Sequence, residues 1–127
     1  MDVTLHKGSG KLQQLASIGR HQLLSDAPEA SGGEDSGPAP HDLLAAALAA
    51  CTALTVTMYA QRRGMLLDDV RVRIEHGQEE GAYVLRRHIE YVGTLGEEDR
   101  ARLTDIANKC PVHKTLSGTI RIDTDAV

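Results

Sequence analysis

No phenylalanine and no tryptophan occur in the 127 residues, and the ring-bearing side chains other than histidine are Tyr59, Tyr83 and Tyr91 alone. Large rings supply much of the buried area of a small core. A core of Leu, Val, Ile and Ala must find that area elsewhere, and a subunit interface is the natural place. Basic runs and aromatic-plus-arginine clusters are also missing, and the formal net charge is −4, so the chain carries no electrostatic footprint for nucleic acid. Zinc-type Cys-x-x-Cys and His-x-x-x-His spacings are absent, as are P-loop and serine-hydrolase motifs. The N-terminal MDVTLHKGSG has no signal-peptide apolar core, which makes the cytoplasm the expected compartment. The apolar stretch Leu43 to Ala60 is diluted by alanine and threonine and flanked by Asp42, Arg62 and Arg63. It reads as a buried helix of a soluble protein, not a membrane span.

What is present fits one domain over residues 1–127. Val3 to His6 and Leu12 to Ile18 flank Lys7-Gly8-Ser9-Gly10-Lys11, a β-hairpin pattern, and a third strand is expected from Arg20 to Leu24. Ser25 to Pro40, rich in Gly, Pro, Ser and acids, has no apolar periodicity and is a loop, either functional or a mere connector. Pro40 opens a helix with Asp42 in its first turn and Gly64 as its stop, about 24 residues and on the order of 36 Å long. Leu44, Ala47, Leu48, Cys51, Leu54, Thr55 and Met58 form its expected inward stripe. Val70, Val72 and Ile74 alternate with charged residues as a strand, and Tyr83 to Val92 is its partner across the polar turn Gln78 to Gly81. A second helix begins near Gly96 and carries Leu103, Ile106, Ala107 and Cys110 on one stripe, until Pro111 breaks it or opens a new one. Ile120 and Ile122 suggest a last strand. The order β-β-β-α-β-β-α-β is an α+β class of antiparallel sheets packed with two long central helices.

The chemistry lies with Cys51 and Cys110. Either could be a small buried hydrophobe. Yet each falls on the inward side of one of the two long helices, so helix packing could bring them together, and an intracellular pair of that kind suggests a reversible disulfide. A helix opening at Pro111 would direct unpaired amides and a favourable dipole at a Cys110 thiolate, and His113 could add positive charge or simply pack. A zinc site from Cys51, Cys110, His21 and His113 is the competing use of the same residues.

Two segments resemble the OsmC/Ohr family of osmotically inducible and organic hydroperoxide resistance proteins. Gly37-Pro38-Ala39-Pro40 followed by Asp42-Leu43-Leu44-Ala45-Ala46-Ala47-Leu48-Ala49-Ala50-Cys51-Thr52-Ala53-Leu54-Thr55 looks like the first-cysteine segment. Cys110-Pro111-Val112-His113-Lys114-Thr115-Leu116 looks like the second-cysteine segment of the OsmC-like branch, which Gly32-Gly33, Met58-Tyr59-Ala60 and Arg63-Gly64 also suit. The resemblance runs from about His21 to the C-terminus. It implies an OsmC-like fold and an intertwined homodimer with each active site at the subunit interface. It further implies a cysteine-based, peroxiredoxin-like peroxidase of oxidative-stress defence, without cofactor or metal. In that scheme Cys51 attacks an organic hydroperoxide, Cys110 resolves the sulfenic acid to a disulfide, and an external dithiol reduces it.

Family enzymes use an arginine from the N-terminal half, for which Arg20 is the candidate here. Classical members carry a glutamate ten residues before the first cysteine. Here that position is His41, with Asp42 one residue later, as in OsmC-like relatives. Nine helical residues place Asp42 about 180° around and roughly 13 Å along from Cys51. Its expected role is therefore to orient Arg20 or to serve as a first-turn charge. The rival from a different class is a non-catalytic small-molecule-binding or stress protein on the same fold, with structural cysteines.

Overall fold

The computed structural model describes residues 2–127 and divides into two compact units, one up to Leu44 and one from Ala45 onward. Among the described residues are five strands, three α-helices and one 3₁₀ turn. This is the expected α+β class with antiparallel sheets.

The first unit is a three-stranded antiparallel sheet in the order β1 (Val3–Lys7), β2 (Gln14–Ile18), β3 (His21–Ser25). Ile18 pairs with His21, so Gly19 and Arg20 form a two-residue hairpin loop. Gly19 has φ +58°, the left-handed backbone such loops require. The segment after β3 is not a slack connector. It makes a 3₁₀ turn at Glu29–Ser31 and folds around the buried Asp26. One carboxylate oxygen accepts the Ala27 N–H at 2.7 Å, and the other accepts the Glu34 and Ser36 N–H groups at 3.2 and 3.1 Å together with the Ser36 hydroxyl. The Ser36 hydroxyl and N–H, reinforced by the other amides, hold the Asp26 carboxyl down to about 2.

Helix α1 (Pro40–Arg63) has the predicted limits. It opens on proline, whose missing N–H costs nothing in a first turn. It ends where Gly64, at φ +66°, lets the Met65 N–H reach back to the Ala60 carbonyl at 2.9 Å. The buried stripe differs from the expected one: Ala45, Leu48, Thr52, Val56 and Ala60 face inward, while Leu44, Leu54 and Met58 are 43%, 64% and 48% exposed. Alanine and leucine occur all round this helix, so its apolar periodicity does not single out one face. By length and composition α1 is apolar enough to cross a membrane, but its inward residues line the core of the second unit.

That core packs Val56 and Ala60 of α1 with Tyr91, Leu103 and Ala107. Tyr91 belongs to a long hairpin of β4 (Leu66–Glu79) and β5 (Ala82–Thr94), turned by Glu80 and Gly81, both at positive φ. Leu103 and Ala107 belong to α2 (Glu97–Ala107), whose first turn is acidic throughout at its positive end. A bulge between Leu67 and Asp69 brings the backbone onto Gly93, where a Cβ would lie 2.1 Å from the Leu66 carbonyl oxygen. Only glycine fits there.

Two further differences from the sequence pattern concern the C-terminal third. Cys110 is not on the stripe of α2. It lies beyond that helix and caps a separate one, α3 (Pro111–Ser117). The strand expected at Ile120 and Ile122 is absent: residues 118–127 are irregular and exposed, with Ile122 83% exposed. Alternation marks a segment able to pair, but a strand forms only against a partner's backbone.

Candidate functional site: a thiol pair under an arginine

The site begins with the amides at the start of α3. The first helical residue, Pro111, has no N–H to satisfy. The next two amides each go to a thiol: Val112 N–H donates to Cys51 Sγ at 3.5 Å, and His113 N–H donates to Cys110 Sγ at 3.4 Å. The following amide, of Lys114, donates to the Cys110 carbonyl at 3.1 Å. The orphan donors of this helix end are thus spent on two sulfurs from different elements. Cys51 is half-buried and Cys110 fully buried.

Thr52 and Arg87 complete the surround. The Thr52 hydroxyl, fully buried, donates to the Leu48 carbonyl at 2.7 Å and lies 3.9 Å from Cys110 Sγ. Arg87 projects from β5 on the inward row Leu85–Arg87–Ile89–Tyr91, a cation in an otherwise apolar register. Its Nη1 donates to Thr52 Oγ1 at 2.9 Å, and its Nη2 to Asn108 Oδ1 at 2.9 Å and His113 Nδ1 at 3.1 Å. Accepting from a guanidinium requires a bare Nδ1, which leaves the His113 ring proton on Nε2. Among the described residues none of Arg87's partners is a carboxylate.

Burial pushes the Cys110 thiol up. The His113 N–H, the Cys51 thiol, the Thr52 hydroxyl and the Arg87 charge together outweigh it, so the net direction is down from the ordinary cysteine value.

The structure brings together two of the four predicted site residues, Cys51 and Cys110, and sets His113 beside them. Arg20, exposed on the β2–β3 turn, and Asp42, in the first turn of α1, belong to the other unit. His21 is exposed on β3 in that unit too, and no group of three or more His, Cys, Asp or Glu among the described residues is set to hold a metal. Sequence reasoning missed Arg87 and Thr52. The signal for Arg87 was available: carried back from Tyr91 and Ile89, the alternation of β5 puts this arginine, unlike Arg86 or His88, on the inward face.

The model of the family described as OsmC-like protein matches residues 33–125. No curated protein matches in sequence. Among solved structures, the OsmC-like protein from Mycoplasma pneumoniae superposes with TM-score 0.76 at 22% identity, over 92% of this chain and 86% of that one. The organic hydroperoxide resistance protein OsmC from Legionella pneumophila gives TM-score 0.63 at 25% identity, over 92% and 88%. The organic hydroperoxide resistance protein OhrB of Bacillus subtilis gives 0.62 at 22%, over 92% and 90%. The structural likeness is one of fold. With a family match across most of the length, both cysteine segments included, the chain belongs to the OsmC-like protein family.

Proposed function

We propose that this protein is a thiol peroxidase of oxidative-stress defence that reduces organic hydroperoxides, with Cys51 as the attacking sulfur and Cys110 as the resolving one. The observation that carries the reading is the convergence of Cys51 and Cys110 on the adjacent amides of Val112 and His113, with the Arg87 guanidinium bound to Thr52 beside them. The names of the Legionella and Bacillus relatives agree with it. Cys51 is the sulfur a substrate can reach, since Cys110 has no exposed surface.

The Cys51 thiolate attacks one peroxide oxygen, forming an S–O bond as the O–O bond breaks. The departing alkoxide takes a proton and leaves as alcohol. Cys110 then attacks the Cys51 sulfur, the S–S bond forms and water leaves, which protects the sulfenic acid from further oxidation. An external dithiol returns two electrons and two protons by thiol–disulfide exchange.

The proposal includes a cytoplasmic, intertwined homodimer with the site at the subunit interface and with Arg20 and Asp42 contributing to it. Its support is the exposed apolar side of α1, with Leu54 and Met58 prominent, and the exposed Ile120 and Ile122 of the tail. Cumene hydroperoxide consumption with dithiothreitol tests the chemistry. Wild type should turn over, Cys51→Ser should not, and oxidised wild type should yield a Cys51–Cys110 peptide by mass spectrometry. Undiminished turnover by Cys51→Ser, or the absence of that linked peptide, overturns the scheme.

A further inference from the structure

Beside Arg87 and His113 lies a cleft of about 310 Å³, at the small end of ligand-binding cavities. Leu48, Leu85 and Leu116 give it an apolar wall. Its polar end is formed by Arg87 and His113, and both present donors: a guanidinium and an imidazole whose proton is on Nε2. Ser117 is engaged with the His113 carbonyl, and the Tyr83 hydroxyl with His76 Nδ1. No carboxylate lines this cleft, and neither sulfur reaches it. The other clefts of this unit differ in character. The one beside Tyr59 mixes Arg63 and Arg102 with Glu98 and Asp99, so its charges are already matched.

We infer that this cleft binds a small organic anion, a carboxylate on a short aliphatic chain, and that the anion competes with the thiolate of the Cys51–Cys110 pair for Arg87. The chain would lie on the three leucines and the carboxylate on Arg87 and His113 Nε2. Because neither sulfur lines the cleft, the bound anion is an effector and not the reacting group. Arg87 then stands between two negative charges and serves each less well when the other is present. Linkage makes the effect reciprocal: the anion favours the protonated or disulfide form of the pair, and those forms hold the anion more tightly. A product or metabolite of this class would thus slow the reduced protein. The effect on turnover rests on the peroxidase reading, whereas the binding itself does not.

The charged and titratable groups set against the pair are Arg87 from β5 and His113 from α3, with Lys109 next in sequence to Cys110; Tyr83, hydrogen-bonded to His76, also lines the cleft. Octanoate is the probe and 1-octanol its uncharged control, both followed by calorimetry on the reduced full-length chain. Octanoate should bind about tenfold or more tightly than octanol, the size of one charge-assisted contact. Arg87→Met should remove that preference and Arg87→Lys should retain part of it.

A second measurement needs no arginine variant. Saturating octanoate should raise the proton affinity of the wild-type thiol pair by about five-fold or more, read from thiolate absorbance against pH. Cys51→Ser/Cys110→Ser should still bind octanoate and should lose the part of its pH dependence that the thiols confer. Equal binding of octanoate and octanol, no octanoate binding at all, or a thiolate titration that octanoate leaves in place overturns the inference. None of these readouts uses peroxide. Octanoate binding without turnover therefore discards only the peroxidase, and turnover without octanoate binding discards only the effector site.

Discussion

Up to Leu44 the only buried apolar side chain among the described residues is Ala16, while from Ala45 onward Leu48, Val56, Tyr91 and Leu103 are buried. The first unit is ordered by strand pairing and by one carboxylate that gathers four donors. The second is ordered by apolar packing, with Arg87 as the charge on the inward row of β5. The contrast teaches where each unit is fragile: the first to the loss of a hydrogen bond, the second to the loss of a methyl group.

The largest effect should come from the second unit. Leu103→Ala, at a fully buried core position, is expected to cost about 2–5 kcal/mol in urea unfolding; a smaller loss would mean the core refills and the contrast is overstated. Next, Arg87→Met should raise the pH at which the thiol pair ionises and slow peroxide consumption at neutral pH, while Arg20→Met should move that titration less. If Arg20→Met moves that titration as far as Arg87→Met does, the cation of the pair is not local to the second unit.

A smaller effect is expected at Asp26. Its native carboxyl titrates near 2 against an ordinary value of 3.8, so its contribution is complete above about pH 4 and disappears as the pH falls toward 2. Asp26→Asn should accelerate hydrogen exchange of the Glu34 and Ser36 amides at neutral pH and match wild type near pH 2. Unchanged exchange at neutral pH would show that the loop holds without its carboxylate. The smallest effect belongs to Glu79→Gln. It breaks an exposed ion pair with Arg86 beside the hairpin turn and should scarcely move the urea midpoint, because solvent screens such pairs.

Much of the architecture was legible because its signals are local. Pro40 and Gly64 bracket α1, and the alternation of Val70, Val72 and Ile74 marks β4. The acidic run before Arg100 marks the start of α2. The two cysteines were legible as a pair because each belongs to a family-like segment. What stayed hidden depends on contacts distant in sequence. The inward side of α1 is chosen by what packs against it, since its own residues are apolar on every side. The Ser25 to Pro40 segment looked shapeless because its order comes from one acid collecting amides up to ten residues away. Arg87 lies far in sequence from both cysteine segments, and only the parity of β5 marks it as inward.

In the proposed peroxidase cycle the cap on α3 would change with the state of the thiols. A sulfur engaged in a disulfide is a poorer acceptor than a thiolate, so closing the bond weakens what both Val112 and His113 donate to. The first turn of α3 is thereby made sensitive to oxidation state, and the chemical shifts of those two amides would register whether the protein is charged or spent.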